Sequence, residues 1–233
     1  MSFDACHFMR ILFTSHEPLD GPVSGRVVES AARGLASVGH QLRVLAVEDD
    51  ASQELEPNVR RIICHATDPR APFPHAMPSF TPNGQGRSFA ALNDRQLSDY
   101  RDLLRTEFDR EVDLYDPCIV HVQHVWLFGH LALEAGIPYV LSAYPQEFET
   151  AKSDARFRRY MQETAENACR ILAHGSALKH VRELVGDLEG RVVPFELPAV
   201  ESLGKTRWWE PLPAMYQASL IERFGKLPDH CVR

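Results

Sequence analysis

Strand-length apolar runs alternate with amphipathic helical segments along nearly the whole chain, and no other feature constrains the fold as strongly. "RILFTS" (residues 10–15) is an apolar run ending in polar residues. A loop with Pro18, Gly21 and Pro22 follows. In "SGRVVESAARGLASVGH", Val27, Val28, Ala31, Leu35 and Val38 then recur at helical spacing. Ser24 is the expected N-cap of that helix, and Gly39 stands where a terminating glycine belongs. "QLRVLAV" and "VRRIICHA" read as the second and third strands. Strand, helix, strand at this spacing implies a parallel unit with a right-handed crossover.

Residues 67–90 interrupt the pattern. Pro69, Pro72, Pro74, Pro78 and Pro82, with Gly84 and Gly86, predict an irregular loop, which at this length inside a compact domain is functional or disordered. We expect it to act as a flap over a ligand. From Asn93 the helical period returns, with Leu97, Tyr100, Leu104, Phe108 and Val112 on one stripe. "CIVHVQH" then reads as a buried strand and "WLFGHLALEAG" as a short helix beginning at Trp126. "IPYVLSAY", "CRILAH" and "RVVPFEL" are further strands, separated by the helices "ARFRRYMQETAENA" and "SALKHVRELVG". The whole predicts an α/β protein with a doubly wound, mostly parallel Rossmann-like sheet covered on both faces. Ligands of such sheets bind outside the carboxyl ends of the strands. His16, His121 or His124, Tyr144 and His174 fall at or near those ends, so one cleft is expected to gather them.

Composition removes several classes of function. A chain of 233 residues with 44% hydrophobic content can bury a full core. A net charge of -7 argues against a nucleic-acid partner. No run is long enough to span a membrane, and "MSFDACHFMRILF" lacks the character of a secretory signal. Cys6, Cys64, Cys118, Cys169 and Cys231 are odd in number and contain no CxxC pair, which fits reduced thiols in the cytoplasm. The loop "GPVSG" fails the G-x-G-x-x-G spacing, so a nicotinamide dehydrogenase is not expected.

Three segments carry a resemblance to a known family. "ARGLASVGHQLRVLAV", "DPCIVHVQHVWLFGHLALEAGIPYVLSAY" and "ACRILAHGSALKHVRELVG" resemble, in order and spacing, the N-terminal domain of family 4 glycosyltransferases, over most of residues 9–198. The resemblance implies one half of a GT-B architecture, in which the first Rossmann-like domain mainly recognises the acceptor. The second holds the nucleotide-sugar donor and a characteristic pair of glutamates. On this reading residues 1–198 form the acceptor-side domain. Residues 199–233, ending "LIERFGKLPDHCVR", resemble the connector to a second domain supplied in cis or in trans.

The enzyme so implied moves a hexosyl-type sugar, with retention of configuration, from a nucleotide-sugar co-substrate to a small-molecule or lipid-linked acceptor. It needs no further cofactor. It is expected to be cytoplasmic, with a peripheral position at the inner face of the membrane as the alternative. The rival function is a non-catalytic sugar- or partner-binding module derived from a transferase half.

The candidate site residues follow. Gly21 and Gly25 bracket a loop between strand and helix where backbone N–H groups and the positive helix end would meet a donor phosphate. A Pro-Gly turn needed only for chain reversal is the plainer account. His124, Trp126 and Tyr144 are the expected acceptor contacts, and no catalytic residue is assigned. Tyr144 stands where the family usually has histidine, so it can hydrogen-bond a sugar hydroxyl but cannot exchange a proton near neutral pH.

His121 and His124 are three apart and point to opposite faces unless the strand ends between them, so no metal site is expected. His121 is read as held in the sheet by hydrogen bonds, and His130 as surface or packing. Glu147 and Glu149 are either acceptor ligands or, on the plainer reading favoured here, solvated loop charges. Lys152, Arg156, Arg158 and Arg159 make one helix start basic, which the resemblance associates with anionic membranes or phosphorylated acceptors; a solvated helix face with local salt bridges is the favoured reading. Trp208 and Trp209 either pack back on the domain or form a surface for a partner.

Overall fold

The computed structural model describes residues 8–19, 23–48, 59–63, 73, 78–80, 87–186, 188, 190–203, 205–228 and 231. Strand β1 (Arg10–Ser15) leads to helix α1 (Val23–Ser37), then β2 (Gln41–Glu48) and β3 (Val59–Ile63). The short strands β4 (Pro78–Ser79) and β5 (Arg87–Ser88) pair only with each other. Helix α2 (Asp94–Tyr115) precedes β6 (Ile119–Gln123), α3 (Phe128–Glu134) and β7 (Tyr139–Ala143). Helices α4 (Pro145–Ser153) and α5 (Ala155–Asn167), strand β8 (Arg170–His174), α6 (Ala177–Val185), β9 (Val192–Phe195) and α7 (Leu212–Phe224) complete the order.

Seven strands form one sheet in the order β3-β2-β1-β6-β7-β8-β9, and every pairing is parallel. This is the expected α/β Rossmann-like architecture. The order reverses between β1 and β6, so the crevice that a doubly wound sheet opens for ligands lies at their carboxyl ends. Parallel strands covered on both faces need apolar side chains on both, and β6 is buried at all five positions. One core joins Leu12, Val120, Val122 and Leu141 to α2, α3 and α5; the other joins Ile11, Phe13, Ile119 and Val140 to α1 and α7.

Local sequence explains most boundaries. Asn93 caps α2 through the backbone N–H of Gln96, whose side chain returns the bond to the N–H of Asn93. Gly39 has φ +100° and ends α1 as expected. The Ser24 N-cap is corrected: α1 already includes Val23, and the Ser24 hydroxyl donates to the Glu17 carboxylate. α3 starts at Phe128 and not at Trp126, because His124 and Leu127, with φ +74° and +40°, turn the chain first.

The irregular loop of residues 67–90 lies partly outside the described residues. Those described are anchored: Phe73 and Phe89 are wholly buried and Ser79 nearly so. Aromatic side chains fill the gap between α2 and the turn after β6, which proline content alone does not reveal. Trp209 packs back on the domain, its indole against Gly34 of α1, and Leu212, Tyr216 and Leu220 of α7 join the core. Among the described residues no helix is long and apolar enough to cross a membrane.

Candidate functional site

β1 ends at Ser15, which places His16 and Glu17 at the carboxyl edge; β6 ends at Gln123, which places His124 beside them. His124 lies between two carboxylates. Its Nε2 is 3.6 Å from Oε2 of Glu17, and its Nδ1 is 3.5 Å from Oε2 of Glu147. All three side chains are buried. At these distances the contacts are ion pairs and not short hydrogen bonds.

Burial alone would lower the pKa of His124, but the two facing carboxylates outweigh it and raise the group to about 9. Burial likewise opposes the ionised form of Glu17. The imidazolium and the hydroxyls of Ser24 and Ser79 prevail and hold it at about 2. The trio is a buried cation between two anions. Charges survive burial only when paired and hydrogen-bonded, and here the remaining oxygens are occupied. Ser79 Oγ donates to Oε1 of Glu17 at 3.1 Å. Glu147 accepts the N–H of Val125 at 2.6 Å and of Tyr144 at 2.9 Å. Glu147 also lies in the first turn of α4, where the helix dipole favours an anion.

Glu147 is therefore no solvated loop charge. It is fully buried and braces both strand ends, and this correction follows from α4, a helix that the Pro145 start did not disclose. Glu149 is exposed and pairs with Lys152, as expected of a surface charge. Arg156 and Arg159 are also paired, with Asp94, Asp154 and Glu163.

The other edge histidines are neutral. Burial lowers His16 to about 3. Its Nε2–H donates to the carbonyl of Trp126 at 3.0 Å, and its Nδ1 accepts from Tyr100 at 3.2 Å. Burial lowers His174 to about 4. Its Nδ1 faces the carbonyl of Phe195 at 3.1 Å, and a carbonyl only accepts, so Nδ1 carries the hydrogen and Nε2 is left as an acceptor. His121 faces the opposite side of the sheet from His124, held by Tyr216 and Ser142 as the strand reading anticipates. His130 packs under Tyr160 between Glu134 and Glu163.

Of the expected acceptor contacts, His124 and Tyr144 meet, with ring centroids 5.0 Å apart, and Tyr144 stacks on His174 at 4.6 Å. The Tyr144 hydroxyl, its pKa raised by burial, donates to Oε1 of Gln123 at 2.8 Å. Trp126 lies in the neighbouring core against Phe157 at 4.2 Å, and Phe80 covers His124 at 4.9 Å. Gly21 lies outside the described residues. Gly25 is buried in α1, where an added Cβ would stand 1.9 Å from the Pro18 carbonyl oxygen, so close helix packing requires a glycine there.

Among the described residues at this edge, Nε2 of Gln123 and Nε2 of His174 are buried with no hydrogen-bond partner, as are both ring nitrogens of His124, which instead face the carboxylates of Glu17 and Glu147. Gln123 and Glu17 are the residues that sequence reasoning missed. Their only signal is position, one at the end of β6 and one just after β1. Among the described residues no group of three His, Cys, Asp or Glu side chains is arranged to hold a metal ion.

No protein-family profile and no curated protein matches the sequence. Solved structures do match the fold. Sucrose-phosphate synthase from Thermosynechococcus elongatus aligns with a TM-score of 0.55 at 12% identity, over 82% of this chain and 48% of that one. A form of it designated 27_220_406_426 aligns at 0.54 and 13% identity, over 92% of this chain and 99% of that one. UDP-GlcNAc 2-epimerase from Methanocaldococcus jannaschii aligns at 0.50 and 9% identity, over 79% and 45%. The chain spans about half the length of the first and third. At such identities the likeness is one of fold: this chain has the architecture of one half of a GT-B enzyme.

Proposed function

We propose that this chain is the acceptor-recognising half of a family 4-like, retaining glycosyltransferase. The observation that carries the reading is the pair of unpartnered buried atoms flanking Tyr144 at the carboxyl edge of the sheet. Oε1 of Gln123 is taken by Tyr144, so its amide nitrogen remains as a donor. Nε2 of His174 remains as an acceptor. A sugar hydroxyl both donates and accepts, so it satisfies either atom, whereas an apolar ligand leaves both costs unrelieved.

His124 contributes differently from Gln123 and His174. With a carboxylate at each nitrogen it is a fixed cation that holds the turn of residues 124–127 and the start of α4 in place. In this arrangement it orients the acceptor surface and does not move protons. The acceptor is a small hydroxylated molecule or a lipid-linked one. The nucleotide-sugar donor and the charges that stabilise its leaving diphosphate come from a second Rossmann-like domain, in cis or in trans. Residues 1–198 form the acceptor side, and the segment 199–233 leads towards that domain.

The test is a ligand-observed NMR titration with monosaccharides, sugar phosphates and glycerol phosphates. The expected result is millimolar or tighter binding of at least one hydroxylated ligand. Gln123→Leu and His174→Phe should weaken it at least tenfold with circular dichroism unchanged. Binding that both variants leave intact, or none by any ligand, overturns the assignment.

A further inference from the structure

The fixed charges at the acceptor edge discriminate among hydroxylated ligands. A helix that begins at the carboxyl edge of a parallel sheet turns its free N–H groups and the positive end of its dipole towards the crevice, where they ordinarily attract phosphate. In this chain two of those helix starts already hold the protein's own carboxylates. Glu147, in the first turn of α4, accepts the N–H of Tyr144 at 2.9 Å and of Val125 at 2.6 Å. Glu17 accepts the hydroxyl of Ser24, the second residue of α1, and that of Ser79 at 3.1 Å. Both carboxylates are buried, Glu17 at 3% exposure and Glu147 at 0%.

One cation stands against these two anions. The His124 ring lies 3.6 Å from Glu17 and 3.5 Å from Glu147, and among the described residues no lysine or arginine forms an ion pair with any of the three. Two carboxylates and one imidazolium leave a single net negative charge, enclosed where water and salt screen it poorly. Arg87 of β5 pairs opposite Pro78, next to Ser79, but it is exposed and therefore screened. The charged trio adjoins the atoms that await a ligand. His124 directly follows Gln123, and its ring centroid is 5.0 Å from that of Tyr144, which in turn stacks on His174 at 4.6 Å.

We propose that the acceptor carries no phosphate or carboxylate and is an uncharged or amino-bearing sugar or polyol, an assignment that rests on the acceptor-site reading above. A phosphate monoester brings about two negative charges at neutral pH. At a separation of roughly 10 Å and an effective dielectric of about 20, its repulsion by one net negative charge amounts to more than tenfold in affinity. Nor can a phosphate occupy the start of α1 or α4 without expelling a buried carboxylate from its hydrogen bonds and its ion pair. A hydroxyl meets neither cost. It accepts from Nε2 of Gln123 or donates to Nε2 of His174, and it adds no charge. An ammonium group on the ligand gains from the same field. Glu17 and Glu147 thus set the preference through their charge and not by contact.

The experiment titrates the full chain with ligands matched in shape and different in charge. Glucose, glucosamine and glucose 6-phosphate form one set, and glycerol and glycerol 3-phosphate the other, followed by ligand-observed NMR at neutral pH. Within a set, the uncharged or amino-bearing member should bind at least about tenfold tighter than the phosphate. Glu17→Gln removes one charge at nearly constant shape and should bring that ratio below about threefold, with circular dichroism unchanged. Equal or tighter binding of the phosphate by the wild type overturns the charge assignment and leaves the acceptor site standing. A ratio that persists in folded Glu17→Gln also overturns it, since the buried carboxylates are then not its cause. Binding by no member of either set overturns the acceptor-site reading itself.

Discussion

One carboxylate oxygen of Glu147 faces Nδ1 of His124 at 3.5 Å and also accepts the N–H of Val125 at 2.6 Å. The same residue thus neutralises the buried imidazolium and clamps the backbone beside it. That backbone needs the clamp, since His124 and Leu127 both hold positive φ without being glycine. Such conformations cost of order 1–3 kcal/mol each and persist where the surroundings over-determine them, which happens most often at functional sites.

Removing His124 should be severe. His124→Ala leaves Glu17 and Glu147 buried side by side without their cation, and breaking a buried ion pair from one side costs about 3–5 kcal/mol. Urea denaturation measures it. A loss below about 1 kcal/mol would mean that the carboxylates are neutral in the folded protein.

Stability should fall on both sides of a maximum near pH 6.5. His124 is raised from 6.5 to about 9, so its contribution is complete below 6.5 and disappears as pH rises through 9. His16, His121 and His174 are lowered by burial to about 3, 3 and 4, so theirs is complete above 6.5 and declines as pH falls towards those values. Glu17, lowered from 4.5 to about 2, adds to the acid loss below 4.5. Denaturation midpoints across pH 4–9 should trace this dome, and His124→Gln should flatten its alkaline limb. An unchanged alkaline limb in that variant would refute the assignment.

Gly25→Ala distinguishes packing from ligand binding at the start of α1. The added methyl meets a backbone oxygen that has no rotamer to escape into, so overpacking should cost about 1–3 kcal/mol with no ligand present. A variant as stable as the wild type would show that the loop, not the helix contact, demands the glycine.

Tyr216→Phe should weaken the attachment of α7. The Tyr216 hydroxyl lies 2.5 Å from Nδ1 of His121, which is fully enclosed. Leaving that nitrogen without a partner costs about 1–3 kcal/mol. Hydrogen exchange should report faster opening of α7 with β6 still protected.

The chain's own pattern settled the class of fold. Apolar runs of strand length alternating with helical stripes can bury their faces only in a parallel sheet covered on both sides. That reading placed His16, His174 and one of His121 and His124 at or near strand ends. It did not reach Glu147, because an acidic residue after Tyr-Pro looks like a solvated turn until α4 and the turn after β6 come together around it. Nor did it reach Glu17, whose partners Ser24, Ser79 and His124 lie 7, 62 and 107 positions away. Periodicity reports which face a residue occupies relative to its neighbours in sequence. Whether a carboxylate there meets water or a cation depends on contacts between distant segments, and only the packed tertiary structure decides it.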